Sequence, residues 1–241
     1  DASPYDSGSY ASSTTYVTGK AVEKACAQLK ENLCKVAADM LGCGTDEVEF
    51  AGRTVKKLDG TSEVSLFDIA TKSMCGNETV VQATASHSSP VSPPPFMVGM
   101  VEIELDKETG QVDVVDYVAV VDCGTPVNPA LARVQTEGGI VQGIGMALFE
   151  DVTYEPTGRI AENSFMQYKI PTRLDMGKLR VEFESSYEQS GPFGAKSIGE
   201  IVINTPSPAL AHAIAHATGV WHRELPITPE KVLWGIQKGQ E

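Results

Sequence analysis

The segment GPFGAKSIGE, residues 191–200, sets Lys196 and Glu200 among Gly191, Gly194 and Gly199. Glycine admits positive φ and close backbone approach at an entropic cost. The run is therefore expected where something passes near the main chain, and a ligand also explains the carboxylate at its end. In a glycine-lined, partly dry pocket a carboxylate has a raised pKa and can act as a base near neutral pH. Capping of the next helix explains Glu200 less well, because Thr205 and Ser207 stand nearer that helix and cap better. Lys196 either orients the carboxylate or is a solvated charge, the second being the simpler reading.

Two further segments carry polar side chains at suggestive spacing. In SGSYASSTTYVTGKAV, residues 7–22, hydroxyls at Ser12, Ser13, Thr14, Thr15 and Thr18 precede the first long helix. One hydroxyl suffices for an N-cap. The remainder suit an oxygen-rich anion, which a helix N-terminus also favours, and both readings stand. In CGTPVNPALARVQTEGGIVQGIGMALFE, residues 123–150, Gln135 and Gln142 lie two helical turns apart on one face. Their amides suit a heterocycle edge or a metal-oxo oxygen, although buried structural glutamines serve backbone in the same way. His212 and His216 in HAIAH could face one metal. Ile214 and alanines fill the interval where a zinc protease helix carries its glutamate, so a packing role is expected and no protein metal ligand is assigned.

The elements that must position these groups follow from periodicity. Residues 20–41 space Val22, Ala25, Cys26, Leu29, Leu33, Val36, Ala37 and Leu41 near the helical period. Short strands are expected at 47–51 and 54–58 about a turn at Gly52-Arg53, and a helix at 65–74. Strands at 97–105 and 112–122 flank the hairpin turn DKETGQ. A long helix over 129–150 contains the glycine-rich GGIVQGIG, for which close approach of a neighbour is the reason. Strands at 164–169 and 179–186 and helices at 208–217 and 229–237 complete an α+β pattern, with HSSPVSPPP, residues 87–95, as an extended connector.

Composition excludes several classes. Of 241 residues 41% are hydrophobic, enough for one large domain or two small ones. Nineteen basic against 32 acidic residues give a net charge of −13, which argues against nucleic acid. No apolar run approaches the ~20 residues of a membrane span and no leader pattern opens the chain, so a cytoplasmic protein without a membrane partner is expected. Five cysteines without a CxxC read as reduced, mostly buried thiols. The polar start at Asp1 suggests a chain that begins partway through a larger unit.

Five segments in order, YASSTTYVTGKAV, VEIELDKETGQVDVVDYVAVVDCGTPVNP, VQTEGGIVQGIGMALFE, GPFGAKSIGE and GVWHRELPITPEKVL, resemble the C-terminal part of the molybdenum-cofactor-binding subunit of the xanthine dehydrogenase and aldehyde oxidase family. The resemblance covers essentially all of residues 1–241 and implies mixed sheets with packed helices, possible division into two subdomains, and an absent N-terminal portion. It implies that Ala11, Ser12, Ser13 and Thr14 contact molybdopterin, that Gln135, Gly199 and, more weakly, Gln142 approach it, and that Glu200 is the active-site base. The implied reaction inserts water-derived oxygen into a purine, another N-heterocycle or an aldehyde, with hydride passing to the metal centre. Iron–sulfur clusters and FAD are then expected on other segments or subunits, since the cluster cysteine spacing is missing here. Ile201 stands where family members often carry proline. A cofactor-free scaffold, or a relative of the carbon monoxide dehydrogenases or hydroxybenzoyl-CoA reductases, is the alternative.

Overall fold

The protein was analysed as a computed structural model, which describes residues 8–76 and 81–239. They form two compact units, one of Val17–Pro90 and one joining the stretch up to Tyr16 with Val91 onward.

In the smaller unit, helix α1 (Thr14–Leu41) is followed by strands β1 (Val48–Phe50), β2 (Thr54–Lys57) and β3 (Glu63–Ser65), antiparallel in that order, and by α2 (Leu66–Cys75). Gly52, at φ 79°, makes the expected turn between β1 and β2. The Ser65 hydroxyl caps α2 by accepting the Asp68 amide at 3.1 Å. Ala37, Ala38, Val48, Val55 and Ile69 are the core. Helix α1 begins six residues before the expected position 20, so Thr14, Thr15 and Thr18 are helical rather than an approach to the helix. Its apolar stripe is covered only toward the C-terminal end, and Val22 and Cys26 are exposed. The three-residue β3 is not among the expected strands, its last residue falling within the helix expected at 65–74.

The larger unit is built on a mixed sheet ordered β4 (Phe96–Leu105), β5 (Val112–Asp122), β6 (Met176–Phe183). Strands β4 and β5 are the expected hairpin, and β6 lies parallel to β5 after a crossover through α3 (Pro129–Leu148). A bulge opposite Glu102 and Ile103 shifts the alternation of β5, so that Val114 and then Tyr117, Ala119 and Val121 face the core. Helices α4 (Ile201–Asn204), α5 (Pro206–Thr218) and α6 (Pro229–Lys238) follow. Ile140, Ile144, Leu210, Ile214, Ile227 and Val232 join Tyr117 in the core. Close approach does explain glycine within α3: a Cβ at Gly139 would fall 2.2 Å from Val202 Cγ2.

Several expectations need correction. Residues 164–169 form no strand; Tyr168 N donates to Ser164 O at 2.8 Å in a turn, and no strand lies beside it. The strand expected at 179–186 begins at Met176, drawn into register by Val114 of β5. Among the cysteines only Cys123 is buried; Cys26 and Cys75 are exposed, and all five are free.

Candidate active site

A tight turn opens the site. Ser13 N donates to Tyr10 O at 3.0 Å, and the central residues Ala11 and Ser12 hold φ of 47° and 57°. Two consecutive L-residues in the left-handed region are strained, and such strain persists only where surrounding contacts over-determine it. Here the contact is the Ser12 hydroxyl, which donates to Glu200 Oε2 at 3.0 Å. Ser13 Oγ lies 3.3 Å from Ser197 Oγ, a second tie between the turn and the glycine run. From the third side, Gln135 on α3 donates its Nε2 hydrogen to Gly199 O at 3.4 Å. Asn128 fixes the start of that helix by accepting the Leu131 amide at 3.1 Å.

These segments enclose a cleft of about 490 Å³ whose lining includes Ser12, Thr14, Thr15, Asn128, Gln135 and Gly199. A side chain at Gly199 would fall 2.7 Å from Ser12 Oγ, so the turn and the run meet there without space for one. Of the residues picked from sequence, Ser12, Thr14, Gln135 and Gly199 line the cleft, and Ala11 and Ser13 shape the turn beside it. Glu200 is not among the lining residues; it stands beside them, next in sequence to Gly199 and bonded to Ser12. Gln142, two turns further along α3, is exposed and lines no part of it. His212 packs edge-on to Trp221 at 5.0 Å, and no metal-binding cluster occurs among the described residues.

The capping argument needs revision, though its conclusion about Glu200 survives. Neither Thr205 nor Ser207 caps α5: Thr205 Oγ1 lies 2.9 Å from the Tyr117 hydroxyl, and Ser207 donates to Gly143 O at 3.2 Å. Glu200 precedes α4 yet makes no capping bond, so its carboxylate is committed to Ser12 instead. The carboxylate is exposed, however, and the dry surroundings expected for it are not supplied by the described residues.

Lys196 departs from the simpler expectation: its Nζ is 2.7 Å from Asp122 Oδ2, with the two side chains only 11% and 20% exposed, so it is a half-buried ion-pair partner rather than a solvated charge. The Asp122 Oδ1 accepts from Ser186 Oγ at 2.6 Å and from Gly124 N at 3.0 Å. Burial pushes the Asp122 carboxyl up, but hydrogen bonds from Lys196, Ser186 and Gly124 outweigh it and hold the group below the usual carboxylate range. Burial, and then the Asp122 charge, push the neighbouring Cys123 thiol up, which keeps it protonated at neutral pH. Part of the glycine density likewise serves the chain itself: a Cβ at Gly191 would meet Ala195 O at 1.9 Å. The available signal was the Asp-Cys-Gly end of an alternating strand, which local periodicity alone does not connect to residue 196.

The hydroxyls of Thr14 and Thr15, set at the N-terminus of a 28-residue helix and beside Ser12, form a donor wall suited to an anionic, oxygen-rich group. The family profile described as molybdopterin cofactor-binding domain matches residues 1–177. The chain belongs to this family. The match takes in Ala11, Ser12, Ser13, Thr14 and Gln135, while Gly199 and Glu200 lie beyond it. The chain is 36% identical over 236 residues to the probable hypoxanthine oxidase XdhD of Escherichia coli strain K12, covering 97% of this chain and 25% of that protein. It is 33% identical to the 6-hydroxypseudooxynicotine dehydrogenase complex subunit gamma of Paenarthrobacter nicotinovorans, covering 93% of this chain and 30% of that subunit. Quinoline 2-oxidoreductase from Pseudomonas putida 86 superposes with a TM-score of 0.85 at 26% identity, over 97% of this chain and 31% of that one. The chain thus spans only about a quarter to a third of each of these three proteins. An α+β fold of the xanthine dehydrogenase type, argued from the ordered motifs, is what these likenesses show. The donor wall fits the cofactor named by the family.

Proposed function

We propose that the chain forms one wall of the active site of a molybdenum-dependent hydroxylase, with Glu200 as its base. Residues 1–241 correspond in this reading to the C-terminal part of the cofactor-binding domain. Bound there, the molybdenum cofactor supplies the two-electron redox chemistry. The hydroxyls of Ser13 and of Thr14 at the start of α1 hold its anionic oxygens, Ser12, whose hydrogen goes to Glu200, lines the wall beside them, and the strained Ala11 fixes their direction. Gln135 and the Gly199 backbone define the adjoining wall. Ser12 steadies Glu200 through Oε2, which leaves Oε1 to accept the proton lost by the water-derived oxygen as it attacks an electron-poor carbon. The single observation carrying this reading is the Ser12–Glu200 hydrogen bond, which joins the hydroxyl turn to the carboxylate across 188 residues at the edge of the cleft.

The substrate class is an aromatic N-heterocycle or an aldehyde, the former favoured by relatives named for hypoxanthine and quinoline. Electrons leave through iron–sulfur and FAD groups on other segments or subunits, in keeping with a relative named as a complex subunit. A cytoplasmic setting agrees with five free cysteines, and no helix among the described residues is long and apolar enough to cross a membrane. Metal and pterin analysis of the full-length protein from its native host tests the reading. Stoichiometric molybdenum with a pterin, together with oxygen insertion from labelled water, is expected; a metal-free native protein would refute it.

A further inference from the structure

We propose that the Asp122–Lys196 pair is a positioning device that latches the loop bearing Glu200 to the end of β5, fixing the carboxylate relative to Ser12 and Gln135. The proposal rests on the reading of Glu200 as a base. Between β6 and α4 the chain has little regular structure: one short 3-10 turn at Pro192–Gly194, where Phe193 is held at a strained φ of 51°. Such a segment needs an external constraint to hold one geometry. Lys196 stands four residues before Glu200, close enough that its anchorage limits where the carboxylate can travel.

At its N-terminal side, before the ties from Ser12, Ser13 and Gln135, the run is anchored beside this pair. The Lys196 amide donates to Cys123 O at 2.8 Å and the Thr125 amide to Gly194 O at 2.8 Å, a backbone bridge between the loop and the end of β5. Above it, Lys196 Nζ reaches Asp122 at 2.7 Å and Pro94 O at 3.4 Å, and lies 5.6 Å from the Phe96 ring centre. Asp122 in turn holds Ser186 and Gly124. One ion pair therefore ties together the start of β4, the end of β5, the segment after β6 and the glycine run. The other described ion pairs are more exposed, on one partner or both. A half-buried pair of this kind adds little net stability over an apolar pair of like size, but its converging hydrogen bonds confine the groups that make them. That is the property required of a support for a base.

The test uses Lys196→Met and Lys196→Arg in the full-length protein. Hydrogen–deuterium exchange should accelerate at least tenfold in peptides covering 121–126 and 191–200 of the methionine variant, while a peptide covering 112–120 stays within twofold of wild type. The arginine variant should restore exchange to within about threefold, because it keeps the charge and the donors. Turnover should follow: kcat down at least tenfold with KM within threefold in Lys196→Met, and rescued in Lys196→Arg. Exchange in 191–200 within twofold of wild type overturns the latch. Equal acceleration in 112–120 also does so, because the pair then supports the whole sheet. A loosened loop with unchanged kcat leaves no positioning role. If the protein lacks molybdenum and turnover, it is the reading of Glu200 that fails, and the exchange measurement still decides the latch.

Discussion

Gly139→Ala sets two opposing effects against each other at the junction that positions the site. Alanine favours a helix over glycine by about 1 kcal/mol. Its Cβ, however, would lie 2.2 Å from Val202 Cγ2 and 2.9 Å from Val202 Cβ, where contact requires about 3.5 Å. Val202 is fully buried, so α4 must retreat by roughly 1.3 Å or the side chain must leave its rotamer. Overpacking of this kind costs about 1–3 kcal/mol, which exceeds the helix gain. The expected net loss is about 1 kcal/mol, or roughly 2–4 °C in Tm for a domain of this size. Gly139 follows Gln135 by one turn and Val202 follows Glu200 by two residues, so the same displacement stretches the 3.4 Å Gln135–Gly199 bond. A shift of about 1 Å at a catalytic wall reduces turnover on the order of 10²-fold. Thermal denaturation and steady-state kinetics of Gly139→Ala, Val202→Ala and the double variant form the assay. Val202→Ala removes the methyl that clashes, so the double variant should be more stable than the summed effects by at least about 0.5 kcal/mol. A higher Tm for Gly139→Ala with unchanged turnover, or strict additivity, would refute the claim that this contact sets the distance between α3 and Glu200.

Four other outcomes are expected. Glu200→Gln in the assembled enzyme should retain molybdenum while lowering turnover about 10²–10⁴-fold, read by metal analysis beside kcat; a loss under about tenfold makes the carboxylate structural. Ser12→Ala with Thr14→Val should reduce molybdenum per protein with little loss of fold, since Thr14 loses a bond to an anionic group at about 1.5–3 kcal/mol and the wall beside it loses the Ser12 tie to Glu200; full occupancy returns these hydroxyls to a helix-start role. Because Asp122 is held below the usual carboxylate range in the folded state, its contribution to stability is complete above about pH 4 and is lost as pH falls through the lowered folded value. Melting curves should therefore show an acid loss that Asp122→Asn diminishes, while the difference between the two proteins stays constant across neutral pH. A thiol alkylating reagent should modify Cys26 and Cys75 in the native protein and leave Cys123 untouched until denaturation, as mass spectrometry of the labelled peptides would show.

Most of the larger elements were legible because they repeat a local rule. The β4–β5 hairpin shows alternation about a turn, and α3, α5 and α6 show helical period or a proline start, each recoverable from neighbouring residues. β3 and α4, of three and four residues, are not anticipated by the sequence, although β1 and β2 of like length are, through the turn between them, and the strand expected at 164–169 failed because a strand exists only beside a partner, which no local pattern supplies.

The site divides in the same way. The hydroxyl segment, Gln135 and Glu200 stand out because their residue types are unusual for their local settings, while the choice of Ser12, Thr14 and Gly199 rests on the family resemblance; the chain brings these residues together. Lys196 could not be placed in this way, because whether a lysine in a loop is solvated or buried depends on a carboxylate 74 residues away. The error had a physical cause: a charge is read as exposed by default since desolvation is costly, and only a matched partner with further hydrogen bonds reverses that expectation. The Asp122 environment meets that condition, with donors from Lys196, Ser186 and Gly124 converging on one carboxylate. The glycine run therefore answers two demands at once. Gly191 folds the loop back on its own backbone around the ion pair, and Gly199 lets the loop close against Ser12, so that its final residue, Glu200, meets the strained turn at the edge of the cleft.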